Sequence, residues 1–251
     1  MSIRPLPTLL LLSCLLASPM RAAEPELTKL TIAVRGKPVS ALLLRPADAR
    51  ALLVLAHGQV MDIHHPFMEA ISAAFARAGI ATLRFNFPYA EEKREQLDAR
   101  PLLVETVVAA VSEGEKRRGS LPLLLGGKSV GAMITALAVQ HDQLPAVKGV
   151  VILSYPLHAP GRPSAVNAPA LKAVPQPMLF VEGSNDPVAD LTLMTGLVES
   201  LGPRAKLMVV EDADHSFAVA GASAAAQAAV YDDIASAVAS FAATLAPSHG
   251  G

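Results

Sequence analysis

Short apolar runs alternate with longer alanine-rich stretches from residue 24 onward, and apolar positions in those stretches recur with the period of a helix. Runs of about six residues rich in Leu, Val and Ile are typical of buried strands. Strands that alternate with amphipathic helices indicate βαβ units. The pattern therefore predicts an α/β fold, with a mostly parallel central sheet and helices on both of its faces.

Eight strands and five helices are expected from this alternation. The strands are predicted at Leu27–Val34, Val39–Leu44, Ala51–Ala56, Ile80–Phe85, Leu121–Leu125, Val147–Leu153, Pro177–Val181 and Ala205–Val210. The helices are predicted at Pro66–Ala78, Leu97–Arg118, Val130–Gln140, Pro187–Leu201 and Ala222–Leu245. Gly36-Lys37-Pro38 separates the first two strands, which we expect to form a hairpin. Residues 24–251 are predicted to form one domain with a flexible tail at 246–251.

Residues 1–23 have a different pattern. Arg4 precedes the apolar run Leu9–Leu16, and small residues follow. This order is typical of a secretory signal peptide, and the apolar run is too short to span a membrane. We therefore predict export to the periplasm or beyond, without an integral membrane span, whereas translation from Met20 would make the protein cytoplasmic. The only cysteine, Cys14, lies in this segment, so no disulfide is expected; its lipidation is a weaker alternative.

Composition excludes several classes of protein. Hydrophobic residues make up 52% of the chain and charged residues 17%, which excludes an intrinsically disordered protein. The formal net charge is -1 and no basic stripe is present, so we expect no nucleic-acid partner. Composition predicts no particular oligomeric state.

A Gly-x-Ser-x-Gly pentapeptide lies between a predicted strand and a predicted helix. It reads Gly127-Lys128-Ser129-Val130-Gly131. At a tight turn from strand to helix, the residues two positions before and after the serine must lack a Cβ, because a Cβ there would collide with the backbone. The pentapeptide therefore has the form of a nucleophile elbow. Ser129 is therefore the candidate nucleophile, and the amide of Val130 is a candidate donor to an oxyanion. A phosphate-binding loop is disfavoured, because its first glycine would fall at Pro122.

A serine attacks a carbonyl at neutral pH only if a base accepts its proton, and an acid must orient that base. Asp186 follows the strand predicted at Pro177–Val181, and His215 follows the strand predicted at Ala205–Val210. The carboxyl ends of parallel strands share one edge of the sheet, where α/β sites assemble. The order Ser129, Asp186, His215 is that of an α/β-hydrolase triad, so these residues are predicted to be nucleophile, acid and base.

The acid and the base have alternative interpretations. Asp186 could be the N-cap of the helix predicted to begin at Pro187, and one residue could serve both purposes. Asp190, Asp212 and Asp214 are alternative acids, although Asp190 would lie one turn into that helix. The predicted base could be an ordinary loop histidine.

A second oxyanion donor is expected after the strand Ala51–Ala56. There the chain reads His57-Gly58-Gln59-Val60, and a glycine lets the backbone approach the nucleophile closely. We predict that the Gln59 amide is this donor, with an ordinary strand-to-loop turn as the alternative.

These motifs together resemble the α/β-hydrolase superfamily in the branch near the dienelactone hydrolases, from about Leu42 to the final helix. The resemblance rests on His57-Gly58, His65-Pro66-Phe67-Met68, Leu83-Arg84-Phe85-Asn86-Phe87-Pro88-Tyr89, Gly126-Gly127-Lys128-Ser129-Val130-Gly131, Ser154-Tyr155-Pro156-Leu157-His158 and Asp214-His215-Ser216-Phe217. They are similar to a bacterial hydrolase family related to the hydrolase-like domain of a non-specific-lethal chromatin-complex subunit. The resemblance implies the fold and the triad, and no substrate. The chain departs from it at His64, where Asp is expected, and at Lys128, where Arg is more usual.

Further polar residues are candidates for substrate binding. They are His57, Arg84, Tyr155 and His158, with His65, Asn86 and Arg162 as additional candidates. Arg84 could equally satisfy buried carbonyls, and His158 could lie on a solvated loop. The histidines at 57, 64 and 65 lack a convincing ligand spacing, so no metal and no other cofactor is expected.

The sequence thus predicts a cofactor-independent serine hydrolase that acts on a small ester-like substrate. A carboxylesterase or a lactone or thioester hydrolase, acting through an acyl-enzyme, fits this prediction, and peptide substrates also stay open. Aromatic residues make up 4% of the chain and no Trp is present, and the segment from Tyr155 to Pro177 is too short for a large lid. Both features favour an open pocket. The alternative is a non-catalytic binding or scaffold module with a hydrolase fold.

Overall fold

The computed structural model of the protein describes residues 23–142 and 144–245, so the predicted signal peptide, except Ala23, and the predicted tail lie outside the described residues. The strands are β1 (Glu26–Val34), β2 (Lys37–Arg45), β3 (Ala51–Ala56), β4 (Ile80–Phe85), β5 (Leu123–Lys128), β6 (Val147–Leu153), β7 (Met178–Gly183) and β8 (Ala205–Val210). The helices are α1 (Pro66–Arg77), α2 (Pro88–Glu91), α3 (Arg100–Arg117), α4 (Val130–Asp142), α5 (Ala168–Lys172), α6 (Leu191–Leu201) and α7 (Ala224–Leu245), and a 3-10 turn spans Gly202–Arg204.

These eight strands join one sheet in the order β1-β2-β4-β3-β5-β6-β7-β8. The first two pairings, β1 with β2 and β2 with β4, are antiparallel, and every later pairing is parallel. The predicted hairpin is confirmed, but its turn lies at Arg35 and Gly36, whose φ angles are 49° and 77°. Two successive positive φ angles match the right-handed twist of the flanking strands. The prediction of a mostly parallel sheet is confirmed.

Helices pack on both faces of the sheet, as predicted. On one face, Leu52 and Val54 of β3 join a core with residues of α3, α4, α5 and α6. On the other face, Leu53 and Leu55 join a core with residues of α1 and α7. This alternation arises because successive strand side chains point to opposite faces. Within the described part of the chain, no helix has the length and hydropathy needed to cross a membrane.

Three element boundaries near the carboxyl edge of the sheet differ from the prediction, and one of them is the end of β7, at Gly183 instead of Val181. Strand β5 extends beyond Leu125 to Lys128, because Gly126 and Gly127 continue the pairing with β3 and β6. A Cβ at Gly126 would lie 2.8 Å from the carbonyl oxygen of Val151, so glycine suits this close approach although it is a poor strand former. Helix α6 begins four residues later than predicted, after a turn that contains Asp186.

Candidate active site

Ser129 lies at a strained turn between β5 and α4. Its φ is 56°, in the left-handed region that a residue with a Cβ rarely occupies. Glycines make the turn possible: a Cβ at Gly127 would lie 2.3 Å from the carbonyl carbon of Gly131, and one at Gly131 would lie 2.4 Å from the carbonyl oxygen of His57. The turn therefore has the geometry of a nucleophile elbow, with the start of α4 packed against the end of β3.

The hydroxyl of Ser129 begins a chain of hydrogen bonds that passes through His215 to Asp186. Ser129 Oγ lies 2.8 Å from His215 Nε2, and His215 Nδ1 lies 2.6 Å from Asp186 Oδ2. When Nδ1–H donates to the carboxylate, Nε2 is left as an acceptor for the serine hydroxyl. The side chain of His215 is 28% exposed and that of Asp186 is fully buried. The arrangement couples an accessible serine and base to a buried acid.

The hydrogen bonds of Asp186 distinguish it from the alternative acids. Asp186 uses its second oxygen to accept the N–H of Val188, so it closes a turn before α6 and does not cap that helix. The N-cap of α6 is Asp190, whose carboxylate accepts a backbone N–H in the first turn. Asp214 accepts two backbone N–H groups of its own turn, and Asp212 is exposed. Asp186 is therefore the carboxylate that meets the His215 ring.

Gln59 and Val130, the predicted oxyanion donors, flank the serine from two elements. Neither of their backbone N–H groups has a hydrogen-bond acceptor among the described residues. The loop after β3 packs directly on the elbow, because a Cβ at Gly58 would lie 3.3 Å from the carbonyl oxygen of Lys128 and 3.4 Å from the Cβ of Ser129. Both N–H groups thus lack an internal acceptor, and their role as oxyanion donors stays a prediction.

His57 was expected to contact substrate, but both of its ring nitrogens are engaged within the protein. The N–H of Phe87 donates to Nε2 at 3.1 Å, so Nδ1 carries the proton and donates to the carbonyl of Gly58 at 2.8 Å. The Tyr89 hydroxyl donates to the same carbonyl at 3.1 Å. Burial lowers the pKa of His57 to about 4, so the ring is neutral at pH 7. His57 therefore holds the loop after β3 in place through its internal hydrogen bonds, and its contact with substrate stays a prediction.

Tyr155 and His158 likewise use their polar atoms inside the protein. The Tyr155 hydroxyl donates to the carbonyl of Asn167 at 2.8 Å. The ring of His158 accepts the N–H of Asp190 at 2.8 Å through Nε2, and its Nδ1 lies 2.9 Å from the carbonyl of Ala159. Backbone groups outside strands and helices need such partners when they are buried. Both side chains thus have internal hydrogen-bond partners, and their contact with substrate stays a prediction.

Arg84 lies on the β4 face that meets α1 and is 4% exposed. Its Nε and Nη1 atoms have no hydrogen-bond partner among the described residues, so the sequence-based alternative of satisfying buried carbonyls is not observed for these atoms. Burial lowers the pKa of the guanidinium, and Glu69 of α1 opposes that shift. Its contact with substrate stays a prediction.

The remaining candidates have structural contacts or are exposed. Asn86 accepts the N–H of Ile63 at 2.9 Å, and His65 caps α1 by accepting the N–H of Phe67 at 3.2 Å. Arg162 is exposed on the loop after β6. In residues 23–142 and 144–245, no group of three or more His, Cys, Asp and Glu side chains is placed to hold a metal ion.

Glu182 is a buried acid beside the site that the sequence pattern did not indicate. It is 0% exposed at the end of β7, and its Oε1 accepts the N–H of Tyr155 at 2.8 Å. Burial raises the pKa of this carboxyl well above its ordinary value. The sequence feature that could have indicated this acid is a carboxylate at the end of an otherwise apolar strand, directly before Gly183. A Cβ at Gly183 would lie 2.3 Å from the carbonyl oxygen of Ala213, so the loops of the acid and the base touch here.

A cavity of about 290 Å³ borders the loop after β3, which carries Gln59. It is lined by Val60, Met61, Asp62, His65, Tyr89, Ala90, Lys93, Arg94 and Glu95. Charges of both signs contribute to its wall, and Val60 is 70% exposed at its rim. Ser129, Asp186 and His215 are not among the residues that line this cavity, so the expected open substrate pocket stays a prediction.

A half-buried serine on an elbow, hydrogen-bonded to a histidine that is in turn hydrogen-bonded to a buried aspartate at the carboxyl edge of a mostly parallel sheet, is typical of α/β hydrolases. The chain belongs to the α/β-hydrolase domain family, which it matches over residues 49–243. The predicted fold class and the resemblance to this superfamily are therefore confirmed.

Solved structures with the same fold include three proteins of low sequence identity. A dienelactone hydrolase from Anabaena variabilis is 22% identical with a TM-score of 0.68, and the match covers 85% of this chain and 96% of that one. Est1E from Butyrivibrio proteoclasticus with bound ferulic acid is 16% identical with a TM-score of 0.69, covering 86% and 98%. An α/β serine hydrolase without a lid from Xanthomonas campestris is 18% identical with a TM-score of 0.65, covering 93% and 100%.

Proposed function

We propose that the protein is a cofactor-independent serine hydrolase of small ester-like substrates. The observation that carries this proposal is the chain of hydrogen bonds from Ser129 through His215 to Asp186. The free N–H groups of Gln59 and Val130 beside the serine supply the second requirement, donors for an oxyanion. A serine that merely stabilised the fold would need neither the strained backbone nor a buried acid behind its histidine.

The proposed reaction proceeds through an acyl-enzyme. Ser129 Oγ attacks the carbonyl carbon while His215 Nε2 takes the hydroxyl proton, and the Gln59 and Val130 amides bind the resulting oxyanion. The tetrahedral intermediate collapses, the carbon–oxygen bond to the leaving group breaks, and His215 gives its proton to the leaving alkoxide. Water then attacks the acyl-enzyme with the same base, which releases the acid and restores the Ser129 hydroxyl. Asp186 stabilises the imidazolium in both halves of the reaction.

The substrate class is proposed from the site and from what the similar structures are named for. One of them is a dienelactone hydrolase and another is described with bound ferulic acid. The cavity of about 290 Å³ is lined by Val60 and Met61 of the loop that carries Gln59, and we propose that it receives a small acyl or alcohol group. A carboxylesterase and a lactone or thioester hydrolase both fit, and a panel of p-nitrophenyl esters, lactones and acyl thioesters would rank them by kcat/KM.

Labelling with a fluorophosphonate probe tests the proposed nucleophile. We expect the wild-type protein to be labelled and Ser129→Ala to remain unlabelled. The matched control is Ser154→Ala, since Ser154 also follows a strand with a positive φ of 47° but is fully buried. This control should label as the wild type does. A folded wild type that resists labelling would favour a binding or scaffold module instead.

Export is a separate proposal that rests on residues 1–23. We propose that this segment directs the protein to the periplasm or beyond and is then removed. The N-terminal residue of the protein isolated from its native host provides the test. A start at or near Glu24 supports export, whereas an intact Met1 or a start at Met20 contradicts it.

A further inference from the structure

Lys128 precedes Ser129 and carries a charge that the reaction above does not use. It is the last residue of β5 and is 1% exposed. Its ammonium donates a hydrogen bond to the backbone carbonyl of His215, with 2.5 Å between Nζ and the oxygen. Among the described residues, this carbonyl has no other donor. Lys128 therefore links the end of β5, directly before Ser129, to the main chain of His215.

The surroundings of the Lys128 ammonium are partly aromatic and partly acidic. Nζ lies 5.8 Å from the ring centre of Phe67 and 5.6 Å from that of Phe217, within cation–π range. Burial lowers the pKa of Lys128 from 10.5 to about 8, although the carboxyl groups of Asp186 and Glu182 oppose this shift. A buried ammonium is costly, so a purely space-filling role would be served better by an apolar side chain.

The main chain that carries the His215 ring is irregular and needs support. His215 lies in a loop after β8 in which both Asp212 and Phe217 have positive φ angles, of 58° and 59°. The ring must nevertheless keep two short hydrogen bonds, to Ser129 and to Asp186. A misplacement of about 1 Å can reduce catalysis by about 100-fold. A bond to the His215 carbonyl restrains the residue whose ring must stay aligned.

We propose that Lys128 is a positioning residue whose bond to the His215 carbonyl keeps the imidazole aligned with Ser129. The inference rests on the proposed function, since it assigns Lys128 no chemistry of its own. A methionine at 128 has a similar length and would fill the space between the two aromatic rings. It has no N–H to donate, so the carbonyl of His215 would lose its partner.

The substitution Lys128→Met tests this role through kinetics. We expect kcat for a p-nitrophenyl ester to fall by about 10- to 100-fold, with KM changed by less than about threefold. Tm should fall by no more than about 5 °C, because a costly buried charge is removed together with the hydrogen bond. Lys128→Arg keeps a charged donor and should recover part of kcat. The matched control, Lys148→Met at an exposed lysine of β6, should match the wild type.

A second measurement does not depend on turnover. The Nδ1–H of His215, held by Asp186, is expected to give a low-field proton NMR signal that His215→Ala abolishes. Lys128→Met should lose or broaden this signal and Lys128→Arg should keep it. Either a retained signal or an unchanged kcat in Lys128→Met overturns the inference. If Lys128→Met does not fold, the same two outcomes are measured on Lys128→Leu, which also has no side-chain N–H to donate.

Failure of the proposed function would look different from failure of this inference. A wild-type protein that neither hydrolyses esters nor reacts with the fluorophosphonate probe contradicts the hydrolase proposal. In that case the NMR signal alone decides whether Lys128 aligns the His215 ring. An active wild type whose Lys128→Met variant keeps either kcat or the signal contradicts only the role of Lys128.

Discussion

The ring of His57 donates its Nδ1–H to the carbonyl of Gly58, the residue that follows it, at 2.8 Å. Tyr89 donates to the same carbonyl. Because a peptide group is planar and trans, fixing the Gly58 carbonyl also fixes the N–H of Gln59 on the opposite side of the same plane. Two buried side chains thereby set the direction of a proposed oxyanion donor.

The substitution Tyr89→Phe tests this relationship. It removes one of the two donors on the Gly58 carbonyl with little change in shape, so the Gln59 N–H should be held less firmly. We expect kcat to fall by about tenfold, less than the roughly 100-fold or greater loss that follows complete removal of an oxyanion donor. Tyr231→Phe on α7 is the control and should retain full activity. Equal kcat values for both variants would argue against the role of Tyr89.

The buried neutral ring of His57 predicts how stability depends on pH. Its pKa is lowered from 6.5 to about 4, so between these values the unfolded chain binds a proton that the folded protein does not. The free energy of unfolding should therefore be unaffected by this group above about pH 6.5 and should fall by roughly 3 kcal/mol as the pH decreases towards 4. Urea unfolding across this range measures the slope, and His57→Gln should flatten it. A slope unchanged in His57→Gln would contradict the assignment.

Variants of Asp186 and Asp190 form a matched pair that tests which aspartate is the acid of the proposed triad. Asp186→Asn removes the partner of the His215 Nδ1–H, and we expect kcat/KM to fall by about 1,000-fold or more. Asp190→Asn affects the N-cap of α6, so Tm should change by at most a few degrees and activity should persist. His215→Ala should lose activity to a similar extent as Asp186→Asn. An active Asp186→Asn would require reassignment of the acid.

Replacement of glycine by alanine is expected to have opposite effects at Gly127 and at Gly196. A Cβ at Gly127 would overlap the backbone of Gly131, so Gly127→Ala should prevent the elbow from forming and leave little soluble protein. A Cβ at Gly196 in α6 meets nothing within 4 Å, and its backbone is helical. Gly196→Ala should therefore raise the free energy of unfolding by about 0.5–1 kcal/mol. Thermal unfolding of the two variants measures both outcomes, and a stable Gly127→Ala would contradict the strained turn.

The order and type of the main elements could be predicted from the sequence, because burial imposes a period on apolar residues that is visible locally. The strands Ala51–Ala56 and Val147–Leu153 have the bounds predicted for them. The short helices α2 and α5 were missed, since four or five residues inside a loop carry no detectable period. The late start of α6 was also missed, because either Asp186 or Asp190 could have preceded the helix.

Sequence alone also placed Ser129, Asp186 and His215 at one edge of the sheet, since each follows a strand and parallel strands end together. It did not determine which partners the buried polar side chains have. His57 was a candidate for substrate binding, and only the folded chain brings the N–H of Phe87, 30 positions away, against its ring. Lys128 and the carbonyl of His215 are 87 positions apart. Periodicity reports whether a side chain is buried, whereas the partner that a buried polar group finds depends on tertiary packing.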